Sequence, residues 1–299
     1  MVGSALVRRL ASEDCEILVV PREELDLRDQ AAVAAWMKNN RPQVVFLAAA
    51  KVGGILANAR YPADFLLDNM LIQNNVIASS LEIGVEKLLF LGSSCIYPRL
   101  APQPLVESAL LSGPLEPTNE GYAVAKIAGL KLCQAMREQH GADFISAMPT
   151  NLYGPGDNYD PDTSHVLPAL LRKIHEAKAS SSPHVTLWGT GSPLREFLHV
   201  DDCADALVFL MKHYSASEHV NVGSGSELSI RSLATLICDI ADYRGDLRFD
   251  TTKPDGTPRK RLHTGKLDSL GWHPRIELSA GIRDIYRDLE SHLGGRSAP

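Results

Sequence analysis

Up to residue 149, short β-branched runs alternate with longer amphipathic stretches, and this alternation limits the fold more than any other feature. Strands are expected at Glu16–Val20, Val44–Ala48, Lys87–Leu91 and Phe144–Met148. Helices are expected between them at Gln30–Asn39, Ala63–Ile83 and Tyr122–His140. Gly84 and Gly141 follow two of these helices, where a residue without Cβ turns left-handed at little cost. Strand–helix–strand crossovers of this length build a parallel sheet wrapped by helices. The expected class is a doubly wound α/β fold.

After Pro149 the rhythm changes. Pro and Gly cluster in Asn151–Pro161 (NLYGPGDNYDP), followed by an expected helix at Val166–Ala177 and a Ser- and Gly-rich loop through Ser192. A helix at Ala204–His213, capped by Asp201 or Asp202, is expected to return to the first domain. Helices at Ile230–Ala241 and Ser279–Leu289 flank a polar loop, Lys253–Arg261. The expected organisation is a dinucleotide-binding domain over 1–150, rejoined by 196–224. A smaller α/β substrate-binding part is formed by 151–195 and 225–299.

Composition narrows the partners. The chain has 299 residues with 30 basic and 36 acidic side chains, a net charge of −6, which argues against a general nucleic-acid binder. Its longest apolar run, Val44–Ala50, falls far short of the roughly 20 residues that span a bilayer. Five scattered cysteines without C-x-x-C spacing argue for a reducing, cytoplasmic setting rather than a disulfide framework. Ten histidines show no ligand spacing, so no metal is expected.

The start of the chain departs from the pattern of a nucleotide-binding domain. Met1 to Val7 resembles the last glycine of a phosphate-binding turn, Gly3, running straight into its helix. About a dozen residues are expected ahead of it, carrying a central strand of a 3-2-1-4-5-6 sheet and two further glycines. A form without them is expected to bind a dinucleotide weakly.

Tyr122 alone among the tyrosines has a lysine four residues later, Lys126. On a helix these positions share a face, and a nearby ammonium favours phenolate. The same spacing occurs by chance on solvated helices. Here, however, a strand ends in Ser93-Ser94-Cys95 upstream, where doubly wound sheets expose active-site groups. Arg22 follows the expected first strand, where an acid would hold a ribose hydroxyl and an arginine suits a 2′-phosphate. A loop arginine beside Glu23 and Glu24 would read the same way.

A strand-end serine, Y-x-x-x-K and a strand ending in Pro149-Thr150-Asn151 together resemble the extended short-chain dehydrogenase/reductase family. Longer runs resemble a branch of it acting on GDP-4-keto-6-deoxymannose. These are AAAKVGGI (Ala48–Ile55), LFLGSSCIYP (Leu89–Pro98), LEPTNE (Leu115–Glu120), YAVAKIAG (Tyr122–Gly129), PTNLYGP (Pro149–Pro155), REFLHVDD (Arg195–Asp202) and KPDGTPRK (Lys253–Lys260). The resemblance covers nearly the full chain and implies an NADPH-dependent 3,5-epimerase and 4-reductase. A reductase or 4-epimerase of another nucleotide sugar, or an impaired dinucleotide-binding protein, is the alternative.

The resemblance implies a reductase triad of Ser93, Tyr122 and Lys126. Inverting C3 and C5 beside a ketone needs groups on both faces of the sugar, and the resemblance puts Cys95 there as base and His165 as acid. On residue type alone they read as a buried thiol and a surface imidazole. For NADP(H) the resemblance implies Gly3, Arg22, Asp26, Leu27, Leu91, Gly92, Ser93, Ser94, Tyr122, Lys126, Pro149, Thr150, Asn151, Leu152 and His165. For the nucleotide sugar it implies Asn151, Lys173, Trp188, Arg195 and Asp255, although Arg195 could instead pair with Glu196, Asp201 or Asp202. Gly121 stands where the close family has proline. A homodimer is expected through the apolar excess of Ala63–Ile83 and Tyr122–His140, an excess that burial beneath the second part would also explain.

Overall fold

The computed structural model describes residues 1–161, 163–253 and 255–294; residues 295–299 of the expected substrate-binding part lie outside the described residues. The first half runs α1 (Val2–Leu10), α2 (Gln30–Asn40), β1 (Val44–Leu47), α3 (Ile55–Arg60), α4 (Pro62–Ile83), β2 (Lys87–Leu91), α5 (Glu120–His140) and β3 (Phe144–Pro149). The second runs β4 (Asn151–Tyr153), α6 (Val166–Ala179), β5 (His184–Trp188), β6 (Leu194–His199), α7 (Val200–His213), β7 (Val220–Val222), β8 (Glu227–Ser229), α8 (Ile230–Ala241), β9 (Asp246–Asp250), β10 (Arg259–Lys260), α9 (Gly265–Ser269) and α10 (Leu278–Gly294).

Strands β1-β2-β3-β7 form one parallel sheet in that order. Its central strands are buried on both faces, as parallel strands between helices must be. Leu88 and Phe90 of β2 join a core with Val33 and Met37 of α2, Ile77 of α4 and Leu130 of α5. Leu89 and Leu91, one residue out of phase, join Leu6 of α1 and Leu207 and Leu210 of α7. Helices therefore cover both faces, and the sheet is doubly wound as expected. Each fully buried leucine or phenylalanine here contributes about 1.5–3 kcal/mol of burial. A third core gathers α6, α8 and α10 against β5 and β6. There β10-β6-β4 pair in parallel, β8 joins β6 antiparallel, and β5 pairs with β9.

Gly84 and Gly141 end α4 and α5 in the left-handed conformation, at φ 74° and 69°. Other expectations need correction. Residues 16–20 form no strand, because no described strand lies alongside to accept their ladder hydrogen bonds. The stretch read as a Ser- and Gly-rich loop contains β5, whose Val185 and Leu187 turn inward while Thr186 and Trp188 face out. The polar loop Lys253–Arg261 contains β10, paired with β6. The helix expected at 204–213 begins at Val200 and is capped by neither aspartate. His199 accepts from Asp201 N, while Asp202 is buried and takes the backbone N–H groups of Arg275 and Ile276.

The joint between the two halves is tight. His199 ends β6 and Val200 begins α7, so no linker separates a strand of one sheet from a helix on the other. Beside it the fully buried Glu196 carboxylate accepts from Gly225 N at 2.7 Å and Leu262 N at 2.8 Å.

Candidate active site

The parallel register sets Leu91 opposite Ala147, so β2 and β3 end together. Gly92 N donates to Ala147 O at 2.9 Å across this edge. Ser93 then turns the chain into a 3₁₀ turn, Ser94–Ile96, with its hydroxyl accepting from Cys95 N at 3.3 Å. Ser94 is buried and Cys95 half-buried. On the neighbouring strand, Thr150 N donates to Val222 O, and Thr150 Oγ1 and Asn151 Nδ2 both donate to Glu196 O. Two strand ends thus form the crevice that α/β sheets use for ligands.

Helix α5 brings Tyr122 to this crevice. Its first turn lies close against α4: a Cβ on Gly121 would stand 2.8 Å from Pro62 O. A residue of ordinary size there requires α4 to shift. Phe65 meets the Tyr122 ring edge-on at 6.5 Å, and the Ser93 hydroxyl interacts with the phenol. Lys126 is 3 % exposed and donates to Leu91 O at 2.8 Å, its ammonium 5.9 Å from the Tyr122 ring centre.

The expected depression of Tyr122 by Lys126 is not what this geometry produces. Burial, then the Cys95 charge, raises the phenol above its ordinary value. Burial also lowers Lys126 to about 7, so the lysine is only partly charged at neutral pH. Tyr122 therefore holds its proton, which suits an acid.

Two nitrogen donors reach the Cys95 sulfur: Asn119 Nδ2 at 3.2 Å and Lys260 Nζ at 3.3 Å. Burial opposes a thiolate, but the Lys260 charge and the hydrogen bonds from Ser93, Lys260 and Asn119 win, and the thiol lies below its ordinary value. His165 occupies the N-cap position of α6, with no hydrogen bond from its side chain to the cap. His165 is exposed at the residue level, as its residue type suggested, while the protein around its ring, then the same Lys260 charge, lowers the imidazole. Neither Asn119 nor Lys260 was expected. Both lie in the quoted runs LEPTNE and KPDGTPRK, but neither carries a local spacing that announces chemistry.

Farther out, Lys173 and Lys253 stand 5.4 and 5.6 Å from the ring centre of the half-exposed Trp188. Arg195 pairs with none of the three carboxylates that would have given it a merely structural role. Glu196 serves backbone N–H groups, Asp201 pairs with Arg8, and Asp202 holds Arg275 and Ile276. Arg195 donates to Leu194 O, and burial lowers it while the Asp255 and Glu116 charges raise it. Both Asp255 oxygens accept from Thr190, so this carboxylate fixes the loop after β5.

Lys126 uses one donor on Leu91 O, leaving one in the neutral amine and two in the ammonium that fit ribose hydroxyls. Gly3 lies in the first turn of α1 with no atom within 4 Å of a would-be Cβ, open ground beside a helix N-terminus. Arg22 is exposed. Asp26 is bound by Arg28, which holds its carboxyl down at about 2, and Leu27 O accepts from Asn75. Pro149 closes β3, and Leu152 packs against the α1–α7 core.

A model of the NAD dependent epimerase/dehydratase family matches residues 1–223. The chain belongs to that family. Within it, the chain is 57% identical to a GDP-L-fucose synthase of Sinorhizobium fredii over 98% of this chain and 93% of that protein. Against GDP-L-fucose synthase 1 of Arabidopsis thaliana the identity is 60%, over 96% and 89%. Among solved structures it resembles a GDP-L-fucose synthetase from Naegleria fowleri bound to NADP, with TM-score 0.88, 29% identity and coverage of 98% and 92%. A GDP-mannoheptose C4 reductase from Campylobacter jejuni with NADP bound also matches, with TM-score 0.88, 38% identity and coverage of 97% and 95%.

Proposed function

We propose that this family member is an NADPH-dependent GDP-L-fucose synthase, converting GDP-4-keto-6-deoxy-D-mannose to GDP-L-fucose by inverting C3 and C5 and reducing C4. The observation that carries this reading is the sharing of one crevice by two sets of groups. Ser93 and Tyr122 suit a developing alkoxide, and Cys95 beside them suits removal of a proton next to the ketone. A 4-reductase alone needs only the first set.

NADPH, when bound, supplies the hydride for C4. Lys126 would hold the nicotinamide ribose, and Tyr122 would give its proton to the C4 oxygen while Ser93 donates a hydrogen bond to the same oxygen. In epimerisation Cys95 takes the proton as the C–H bond breaks, and the electron pair moves onto the C4 oxygen as an enolate. His165 returns a proton from the other face. Lys173 and Arg195 suit the diphosphate and Trp188 the nucleoside face.

The assignment implies a nucleotide-binding part over 1–150 with 196–224, and a substrate part over 151–195 and 225–299. It also carries a cytoplasmic setting, consistent with five free thiols. Among the described residues, no helix is long and apolar enough to cross a membrane. A homodimer through α4 and α5 fits their outer faces: Phe65, Ile127 and Leu130 turn inward, while Leu67, Leu71 and Val124 stay exposed. Sedimentation as a monomer at micromolar concentration would exclude the dimer.

The decisive experiment supplies NADPH and the 4-keto sugar in deuterium oxide. Deuterium is expected at both C3 and C5 of a fucose-configured product; a reduced product labelled at neither carbon overturns the epimerase.

A further inference from the structure

Lys260 projects from a backbone pinned on every side. Arg259 and Lys260 pair with Leu194 and Arg195 of β6, and Gln103 donates to Arg259 O and accepts from Arg261 N. Leu262 N is held by the buried Glu196. Arg259 pairs with Glu227, so it does not compete for the thiol.

The charges around Cys95 leave Lys260 as the one acting on the sulfur. The cavity beside the thiol is lined by Arg99, Glu116, Asn119, Arg259 and Lys260, and Arg99 pairs with Glu116 at 3.2 Å. Tyr122 and His165 are the other titratable neighbours, one raised by the Cys95 charge and one lowered by Lys260. Among the described residues no carboxylate lies within 4 Å of the Lys260 ammonium, and its hydrogen bond goes to Cys95 Sγ at 3.3 Å. An ammonium with no carboxylate partner, aimed at a half-buried thiol, is an arrangement that favours thiolate.

We propose that Lys260 is a positioning residue for epimerisation: its ammonium is the counter-ion of a Cys95 thiolate, and Asn119 is the second donor to that sulfur. The inference rests on the epimerase reading and deepens it. The thiolate takes a proton from C3 or C5, the S–H bond forming as the C–H pair moves into the ketone. Before the next abstraction the thiol must release that proton to solvent, and the adjacent positive charge favours the release.

The test measures iodoacetamide alkylation of Cys95 against pH, read on the Cys95 peptide by mass spectrometry in the full chain without nucleotide sugar. In the unsubstituted protein the midpoint is expected below the roughly 8.5 of a free thiol. Lys260→Met and Lys260→Gln are expected to raise it by about one to three pH units, cutting the rate at pH 7 at least about tenfold. Lys260→Arg should restore most of the reactivity. A midpoint at or above that of a free thiol in the unsubstituted protein overturns the proposal even if the neutral variants do not fold. So does an unchanged midpoint in folded Lys260→Met. The acid limb of C3/C5 deuterium exchange should move upward in step. A shifted thiol with no exchange in any form would overturn the epimerase reading and the step assigned here. Exchange with an unshifted thiol would overturn the Lys260 pairing alone.

Discussion

The Lys126 ammonium lies 5.9 Å from the centre of the Tyr122 ring and gives its hydrogen bond to the Leu91 carbonyl, not to the phenol. A cation held this way costs stability. Burial lowers it from 10.5 to about 7, so between those values the folded chain binds fewer protons than the unfolded chain. Stability therefore rises with pH across that window, and the full cost is present below about pH 7. Lys126→Met should remove this slope, stabilising the fold by about 1–4 kcal/mol at pH 6 and little at pH 10. It should also abolish reduction. Thermal midpoints against pH check this, and parallel curves for the two proteins would contradict it.

Tyr122→Phe keeps the ring against Phe65 and deletes the proton donor. NADPH oxidation should fall by about 10²–10⁴-fold, while deuterium exchange at C3 and C5 continues within a few-fold. Loss of both activities together would mean that the phenol serves proton transfers at C3 and C5 as well.

Cys95→Ser and His165→Asn should give the reverse pattern. Each is expected to stop exchange at the carbons it serves, and neither should prevent reduction of a 4-keto sugar already inverted at C3 and C5. Mass and NMR analysis of the two half-reactions separates them. Normal exchange in Cys95→Ser would return the cysteine to a packing role.

Gly129 packs α5 tightly against β2 and α4, and an added Cβ would stand 2.5 Å from Phe90 Cζ and 2.8 Å from the Gln73 side chain. Gly129→Ala should gain helix propensity yet lose about 1–3 kcal/mol overall through overpacking. Denaturant unfolding measures this. A stabilised variant would show that Phe90 and Gln73 move aside freely.

Local patterns were legible in the sequence; long-range pairings were not. Val44–Leu47 and Lys87–Leu91 read as strands because their apolar residues run together, and Tyr122 with Lys126 reads as a pair because four residues make a helical turn. Glu16–Val20 has the composition of a strand, yet a ladder needs a partner that composition does not supply. Ser180–Pro183 hides β5 behind turn-forming residues, although Val185 and Leu187 alternate inward. Cys95 and Lys260 are 165 residues apart and meet because β6, Gln103 and Glu196 hold the backbone around Lys260. His199 as a helix cap escaped notice for a simpler reason: two aspartates, stronger capping residues, follow it directly.

The direct passage from His199 to Val200 bears on how such a molecule can be recombined. A graft that exchanged everything after Tyr153 for the corresponding stretch of a relative would also carry off α7 and β7, and with them part of one face and one edge of the β1-β2-β3-β7 sheet. On the division proposed above, chimaeras that aim to alter sugar choice alone need three crossovers, two to replace the segment before β6 and one to replace the chain after β7. The replaced chain after β7 must also bring backbone N–H groups at positions 225 and 262 to the retained Glu196 carboxylate. On the proposed division, the two parts are braided along this polypeptide rather than laid end to end.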